Sequence, residues 1–92
     1  MKRGGSPYLH LGEGVTLRSR DLIGIFDLER TTVSPLTRRF LADAEKGGRV
    51  VTVSYEMARA FAVCAEPDGS ETVYVTPIAA ATLRKRAEGG GI

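Results

Sequence analysis

The stretch RAFAVCAEPDGSETVYVT, residues 59–76, determines more of the fold than any other part of this sequence. A strand is predicted at Arg59–Ala65, where residues 60–65 are apolar and mostly small, as in a buried strand, and Thr72–Val75 are β-branched or aromatic. Between them, Pro67 occupies the second position of a type I turn, and Gly69 stands where the backbone needs a positive φ. The segment therefore predicts an antiparallel hairpin.

A helix is predicted on the amino-terminal side of this hairpin. Ser34-Pro35 provides an N-cap residue followed by proline at the first helical position, and Gly47-Gly48 ends the pattern. Between these signals, four apolar residues recur at helical spacing and are expected to face the core: Leu36, Phe40, Leu41 and Ala44.

The remaining elements are assigned outward from these two. Strands are predicted at Tyr8–Leu11, at residues 15–26 in two parts, and at 49–55. Thr76-Pro77 is again an N-cap residue followed by proline, and it predicts a second helix. Ile78, Ala81 or Thr82, and Leu83 are expected to face the core.

The predicted fold is α+β, in the order β-β-β-α-β-β-β-α. We expect a small twisted, mainly antiparallel sheet with both helices on one side. Residues 8–87 form the single domain, with residues 1–7 as a flexible arm and residues 88–92 as a flexible tail. Two short helices leave part of a sheet face uncovered, which predicts self-association.

The composition is that of one small domain, with 92 residues, 42% of them hydrophobic, and a formal net charge of +2. A single cysteine, Cys64, cannot form an internal disulfide, which favours a reducing, cytoplasmic setting. The sequence has no run of 18 apolar residues, so no association with a membrane is expected. Arginine supplies 10 of the 13 basic residues and suits bidentate contacts with phosphate as well as ion pairs within proteins.

Residues for catalysis are few. His10 is the single histidine and lies between two leucines, as a strand residue would, and Cys64 has no CxxC partner. Gly12-Glu13-Gly14 lacks the third glycine of a dinucleotide fingerprint and is read as a turn. We therefore predict that the protein is not an enzyme and has no catalytic residue, metal site, cofactor or small-molecule substrate.

Basic side chains remain as the candidate functional residues. Arg18 and Arg20 are expected on the same side of an extended segment, and Arg59 opens a later strand. Contacts of these arginines with phosphate would give affinity without sequence specificity, and repetition in an oligomer would strengthen them. Ion pairs with the 11 acidic residues are the competing interpretation. A third basic group, Arg84-Lys85-Arg86, falls at a helix C-terminus, where cations are favourable in any case.

Three segments resemble the RemA/RemB group of bacterial extracellular-matrix regulators, and more closely the RemB branch: Tyr8–Gly12, Ser19–Asp27 and Thr76–Ala87. The resemblance covers roughly residues 8–87 and contains no catalytic signature. It implies a cytoplasmic, non-enzymatic α+β protein that assembles into a homo-oligomeric ring. In the RemA branch it further implies DNA binding through arginines repeated around the ring, to activate biofilm-matrix genes.

The sequence departs from the RemA pattern at basic positions. Asp21, Glu56 and Met57 stand where that pattern has arginines, whereas Arg59 matches one. Two hypotheses follow: a DNA-binding ring that uses Arg18, Arg20 and Arg59, or an oligomeric scaffold whose arginines form subunit interfaces. A catalytic cleft of Asp21, Glu56 and His10 shared between subunits is a third alternative.

Overall fold

The computed structural model describes residues 7–28, 34–54 and 56–90. The strands are β1 (Tyr8–Gly12), β2 (Val15–Arg18), β3 (Leu22–Asp27), β4 (Val50–Thr52), β5 (Ala60–Ala65) and β6 (Glu71–Thr76). The helices are α1 (Pro35–Lys46) and α2 (Ala80–Lys85), with a 3-10 turn at Ser19–Asp21 and a π-helical turn at Arg86–Gly90. The predicted α+β class and element order are confirmed. Most of the predicted arm, Tyr55 and the last two residues lie outside the described residues.

Two sheets replace the single sheet that the sequence predicted. β1 and β2 form an antiparallel ribbon, and the other four strands form a sheet in the order β3-β5-β6-β4. The pairs β3–β5 and β5–β6 are antiparallel, whereas β4 runs parallel to β6. The predicted strand at 49–55 is shortened to Val50–Thr52, because the chain then leaves the sheet edge to reach β5.

Strand β5 is buried on both faces and separates two cores. In the first core, its even-numbered residues pack with the β1–β2 ribbon and with Leu83 of α2. In the second core, Phe61 and Val63 pack with Ala44 of α1. Successive side chains of a strand point to opposite faces, so the two helices cover opposite faces of the sheet. The prediction that both helices lie on one side was therefore wrong.

The β5–β6 hairpin forms as predicted. Ala60 pairs with Thr76 and Ala65 with Glu71 across the ladder. In the turn, the amide of Gly69 donates to the carbonyl of Glu66 at 3.0 Å, and Gly69 has a φ of +91°. The Asp68 carboxylate accepts hydrogen bonds from the amide and hydroxyl of Ser70. These contacts are local, which is why turn chemistry alone predicted them.

The second helix begins at Ala80, later than predicted. Thr76 is the buried last residue of β6, and its hydroxyl donates to the carbonyl of Leu11 at 2.6 Å. The same hydroxyl accepts from the amide of Ile78 at 3.1 Å, so Thr76 joins the ribbon to the sheet instead of capping a helix. Ala80 and Leu83 are buried, whereas Ala81 and Thr82 are exposed and do not face the core.

Helix α1 has its predicted start, but only part of its predicted buried face. Pro35 is the first helical residue, although the side chain of Ser34 makes no capping hydrogen bond. Ala44 is fully buried and Phe40 and Leu41 pack against the second core, whereas Leu36 is 76% exposed. The helix therefore rests on the sheet at its C-terminal end. Neither helix of the described chain is long and apolar enough to span a membrane.

Two titrating groups near the first core predict loss of stability in alkali. Burial, followed by the negative charges of Asp21 and Glu66, raises the pKa of the Cys64 thiol. Burial, followed by the charges of Cys64 and Glu66, raises the pKa of Tyr74. The folded chain thus holds both protons more tightly than the unfolded chain, so this stabilisation is complete below the unfolded pKa values, about 8.5 and about 10. It is lost as the pH rises through the folded pKa values.

We therefore expect the guanidinium chloride midpoint to fall progressively as the pH rises above about 8.5. The variant Cys64→Ala should lose the first part of this fall and keep the part near pH 10 that belongs to Tyr74. A midpoint that is constant between pH 8 and 10.5 in the parent protein would contradict the assignment.

Candidate functional site

Arg18 and Arg20 lie at one end of the molecule, on either side of a change in backbone direction. Arg18 ends β2, whereas Arg20 lies in the 3-10 turn, so the two do not share one extended segment as predicted. The turn is anchored by a 2.9 Å hydrogen bond from the amide of Ser19 to the carbonyl of Pro7. Both side chains are exposed, and Nε of Arg18 lies 3.8 Å from a carboxylate oxygen of Asp21.

Arg59 lies at the opposite end of the sheet. Its amide donates to the carbonyl of Thr76 and its carbonyl accepts from the amide of Leu28, so the backbone is fixed where β5 begins. Because β3 and β5 are antiparallel, the start of β3 pairs with Cys64 and its end with Ala60. About 13 Å of strand separates those two β5 residues, at about 3.3 Å per residue. One subunit therefore does not bring Arg59 together with Arg18 and Arg20.

The side chains of Arg20 and Arg59 are exposed, and no hydrogen bond or ion pair engages them within residues 7–28, 34–54 and 56–90. The Arg18–Asp21 pair is exposed as well, and such pairs contribute only about 0–1 kcal/mol. All three candidate arginines can therefore bind an external anion with little loss of free energy from contacts within the fold.

Three other arginines bind within the fold. Nη2 of Arg84 donates to the carbonyl of Ile25 at 3.1 Å, and Nη1 of Arg86 donates to the carbonyl of His10 at 3.3 Å. Arg49 lies 3.4 Å from the carbonyl and 4.0 Å from the carboxylate of Glu71. The basic ending of α2 thus holds the helix against β3 and β1, a role that helix-end composition alone did not reveal.

The acidic departures from the RemA pattern also lie apart. Asp21 is half-buried beside Arg18, whereas Glu56 is exposed in the loop after β4. The amide of Glu56 donates to the hydroxyl of Ser54 at 3.2 Å, and both residues line a shallow notch that also includes Glu13. His10 lies on β1, away from that notch, so the three residues of the catalytic alternative do not form a cleft within one subunit.

Metal-ligating side chains are likewise dispersed. No group of three or more histidine, cysteine, aspartate or glutamate side chains is arranged to hold a metal ion in the part of the chain that the structure describes. Cys64 is buried on β5, and its raised pKa disfavours the thiolate that would act as ligand or nucleophile. The chemistry that the exposed arginines Arg18, Arg20 and Arg59 favour is therefore electrostatic binding of anions.

The amino-acid sequence was compared with protein families and with known proteins to find relatives of this chain. No family model matches the sequence. The chain is 30% identical over 81 residues to the extracellular matrix regulatory protein B of Bacillus subtilis (strain 168), an alignment that covers 88% of this chain and 90% of that protein. The matched span includes nearly the whole described domain, with both ends of the sheet. On this similarity, the chain belongs to the RemA/RemB family of extracellular-matrix regulatory proteins.

Proposed function

We propose that the protein is a DNA-binding transcriptional regulator of extracellular-matrix genes, and that it acts as a homo-oligomeric ring. Arg18, Arg20 and Arg59 would bind the phosphates. The observation that carries this proposal is that Arg20 and Arg59 are exposed at opposite ends of the sheet, without partners in the described chain. The similarity to a protein named as an extracellular matrix regulator supports the choice of genes.

Assembly is needed to make these arginines effective. One subunit with two or three phosphate contacts would bind DNA weakly. In a ring, the Arg59 end of one subunit can approach the Arg20 end of the next, so that the cationic groups alternate around the particle. Contacts linked in this way act at high effective concentration and multiply in affinity. Arg20 and Arg59 lie far apart within one subunit, but in a ring they would form a regular series of cationic groups.

The direct test is a fluorescence-anisotropy titration of a labelled DNA duplex at about 50 mM and about 200 mM salt. The assembled protein should bind at low salt and lose affinity steeply at the higher salt, because phosphate contacts release counterions. Arg20→Ala and Arg59→Ala should each weaken binding more than tenfold and reduce the salt dependence. Lys46→Ala is the matched control, since it removes an exposed cation from the end of α1 and should leave binding unchanged.

An assembled oligomer that does not bind DNA even at low salt would refute the proposal. The second candidate function is then a non-enzymatic scaffold whose arginines form subunit interfaces. Arg18, which lies 3.8 Å from the Asp21 carboxylate of its own chain, would pair there with a carboxylate of a neighbouring subunit. For the scaffold, Arg18→Ala combined with Arg20→Ala should abolish assembly itself. For the regulator, the same variant should lose DNA affinity while the mass of the particle stays constant.

A further inference from the structure

The ribbon of β1 and β2 has one face in the protein and one face in solvent. Leu9, Leu11 and Leu17 are buried in the first core, each with 5% exposure or less. Because successive side chains of a strand alternate between faces, the residues next to these leucines point outwards. Four exposed residues form this outer face: Tyr8 and His10 on β1, and Thr16 and Arg18 on β2.

The outer face is arranged as two cross-strand pairs. Tyr8 lies opposite Arg18, and His10 lies opposite Thr16. Side chains that are directly opposite in an antiparallel pair share one face, with Cβ atoms about 5 Å apart. Thr16 lies about 7 Å from Arg18 along β2, at about 3.4 Å per residue. A large ligand that contacts Arg18 is therefore within reach of the His10–Thr16 pair as well.

Contacts with distant parts of the chain hold the ribbon in place. The carbonyl of Leu11 accepts from the hydroxyl of Thr76 at 2.6 Å, and the carbonyl of His10 accepts from Nη1 of Arg86 at 3.3 Å. Side chains on anchored strands are positioned more precisely than side chains on loops. The outer face is therefore suited to recognition that depends on the exact position of its groups.

The dimensions of the ribbon match the major groove of double-stranded DNA. The two strands lie about 4.8 Å apart, and the groove is about 12 Å wide and admits a two-stranded ribbon. With the ribbon along the groove, Arg18 at the open end, away from the turn, can reach a flanking phosphate. His10 and Thr16 then face the base edges. A threonine hydroxyl bonds to base edges and its methyl group contacts thymine, while an imidazole donates or accepts a hydrogen bond.

The charge changes sign along the ribbon. Arg18 and Arg20 lie at its open end together with Asp21, whereas Glu13 is exposed in the turn at the other end and shares a notch with Glu56. Phosphates would repel this turn, so contact with the DNA backbone does not suit the whole ribbon. Over the floor of the major groove, in contrast, a carboxylate accepts a hydrogen bond from the amino group of cytosine. The charge pattern thus favours base contacts for the half of the ribbon next to the turn.

We propose that the outer face of the ribbon enters the major groove of double-stranded DNA, and that His10 and Thr16 determine which base sequence is bound. The inference rests on the proposed DNA binding and adds specificity to it, since phosphate contacts carry no sequence information. Arg18, Arg20 and Arg59 fix the position of the particle on the duplex, and the His10–Thr16 pair reads the bases.

The first experiment identifies the groove. Duplexes of randomised sequence are enriched by binding to the parent protein, and the enriched duplex is then prepared with 7-deazapurines and with uracil in place of thymine. These bases remove the N7 acceptors and the methyl groups of the major groove and leave the phosphates intact. The affinity of the parent should fall about tenfold or more. A substituted duplex that binds as tightly as the natural one would overturn the proposal.

The second experiment assigns the base contacts to side chains. Thr16→Val removes the hydroxyl and keeps the shape of the residue, and His10→Ala removes the imidazole. Each should lower the ratio of affinities for the enriched and a scrambled duplex about five- to fiftyfold, with the salt dependence unchanged. Arg18→Ala should instead weaken both duplexes alike and reduce the salt dependence. Thr52→Val is the matched control, because it makes the same substitution at an exposed site on β4 and should keep the parent's ratio.

These measurements separate the inference from the proposed function. If the parent binds DNA at low salt but enriches no sequence, or if His10→Ala and Thr16→Val keep the parent's ratio, the ribbon does not read bases and the regulator stands. If the assembled parent binds no duplex, the proposed function fails and this inference fails with it.

Fold and assembly of the variants are checked by circular dichroism and sedimentation velocity, and both should match the parent. Loss of assembly in a folded Thr16→Val variant would show that the outer face is a subunit interface and would overturn the proposal. If His10→Ala does not fold, the isosteric Thr16→Val variant decides the outcome.

Discussion

The variant Phe61→Ala is expected to lower the free energy of unfolding by about 3–5 kcal/mol, the usual cost of truncating a buried phenylalanine. Phe61 is 2% exposed and lies in the central strand β5, where it packs with Ala44, Val63 and Val73 in the second core. It also stacks on Phe26. Its loss would open a cavity between α1 and the sheet, and the residues that line the cavity would lose their packing partner.

The measurement is urea denaturation followed by circular dichroism, with Phe26→Ala as the control. Phe26 belongs to the same stacked pair but is 37% exposed, so its truncation should cost about 1–2 kcal/mol, because part of its surface is already in water. If the two variants lose equal stability, β5 is not the centre of the second core. A change of slope in the denaturation curve would indicate instead that the unfolded state had changed.

The elements that sequence patterns predicted well are those that local contacts determine. The β5–β6 hairpin follows from a turn whose hydrogen bonds join residues 66–70, and α1 begins at the proline that fixes its first φ. Both signals act within a few residues. The turn and the helix start would form in almost any fold, and so both could be predicted from the sequence alone.

The arrangement of those elements depends on contacts between distant residues, and here prediction failed. β5 is apolar on both faces, so its composition could not show which helix packs on which side. Thr76-Pro77 has the local signature of a helix start, yet the Thr76 hydroxyl binds Leu11, 65 residues away. A local pattern is overridden when a distant carbonyl offers the buried hydroxyl a better partner.

In the candidate site, too, local sequence patterns predicted some features, whereas contacts between distant residues determined the others. Composition drew attention to arginine, but it could not separate Arg84 and Arg86, which bind backbone carbonyls of β3 and β1, from the exposed Arg20 and Arg59. The 3-10 turn at Ser19–Asp21 interrupts the alternation assumed for Arg18 and Arg20. Which arginines are free for a partner is therefore a property of the fold, since it depends on which carbonyls the helices and strands leave within reach.

The variant Thr76→Val is expected to lower the free energy of unfolding by about 2–4 kcal/mol, although valine has the same shape as threonine. The hydroxyl of Thr76 is fully buried, donates to Leu11 and accepts from the amide of Ile78. Valine would leave a carbonyl and an amide without partners, and each buried polar group left in this way costs about 1–3 kcal/mol. The carbonyl belongs to β1, so the junction between ribbon and sheet should loosen first.

Thr76→Ser is the matched control, because it keeps the hydroxyl and removes only a methyl group, at a cost of about 1 kcal/mol. Urea denaturation gives the two losses, and hydrogen exchange locates them. The amide of Ile78 should exchange much faster in the valine variant than in the serine variant. A serine variant as unstable as the valine variant would show that the methyl group matters more than the hydroxyl. The junction between the two sheets would then depend on apolar packing instead of on this hydrogen-bonded threonine.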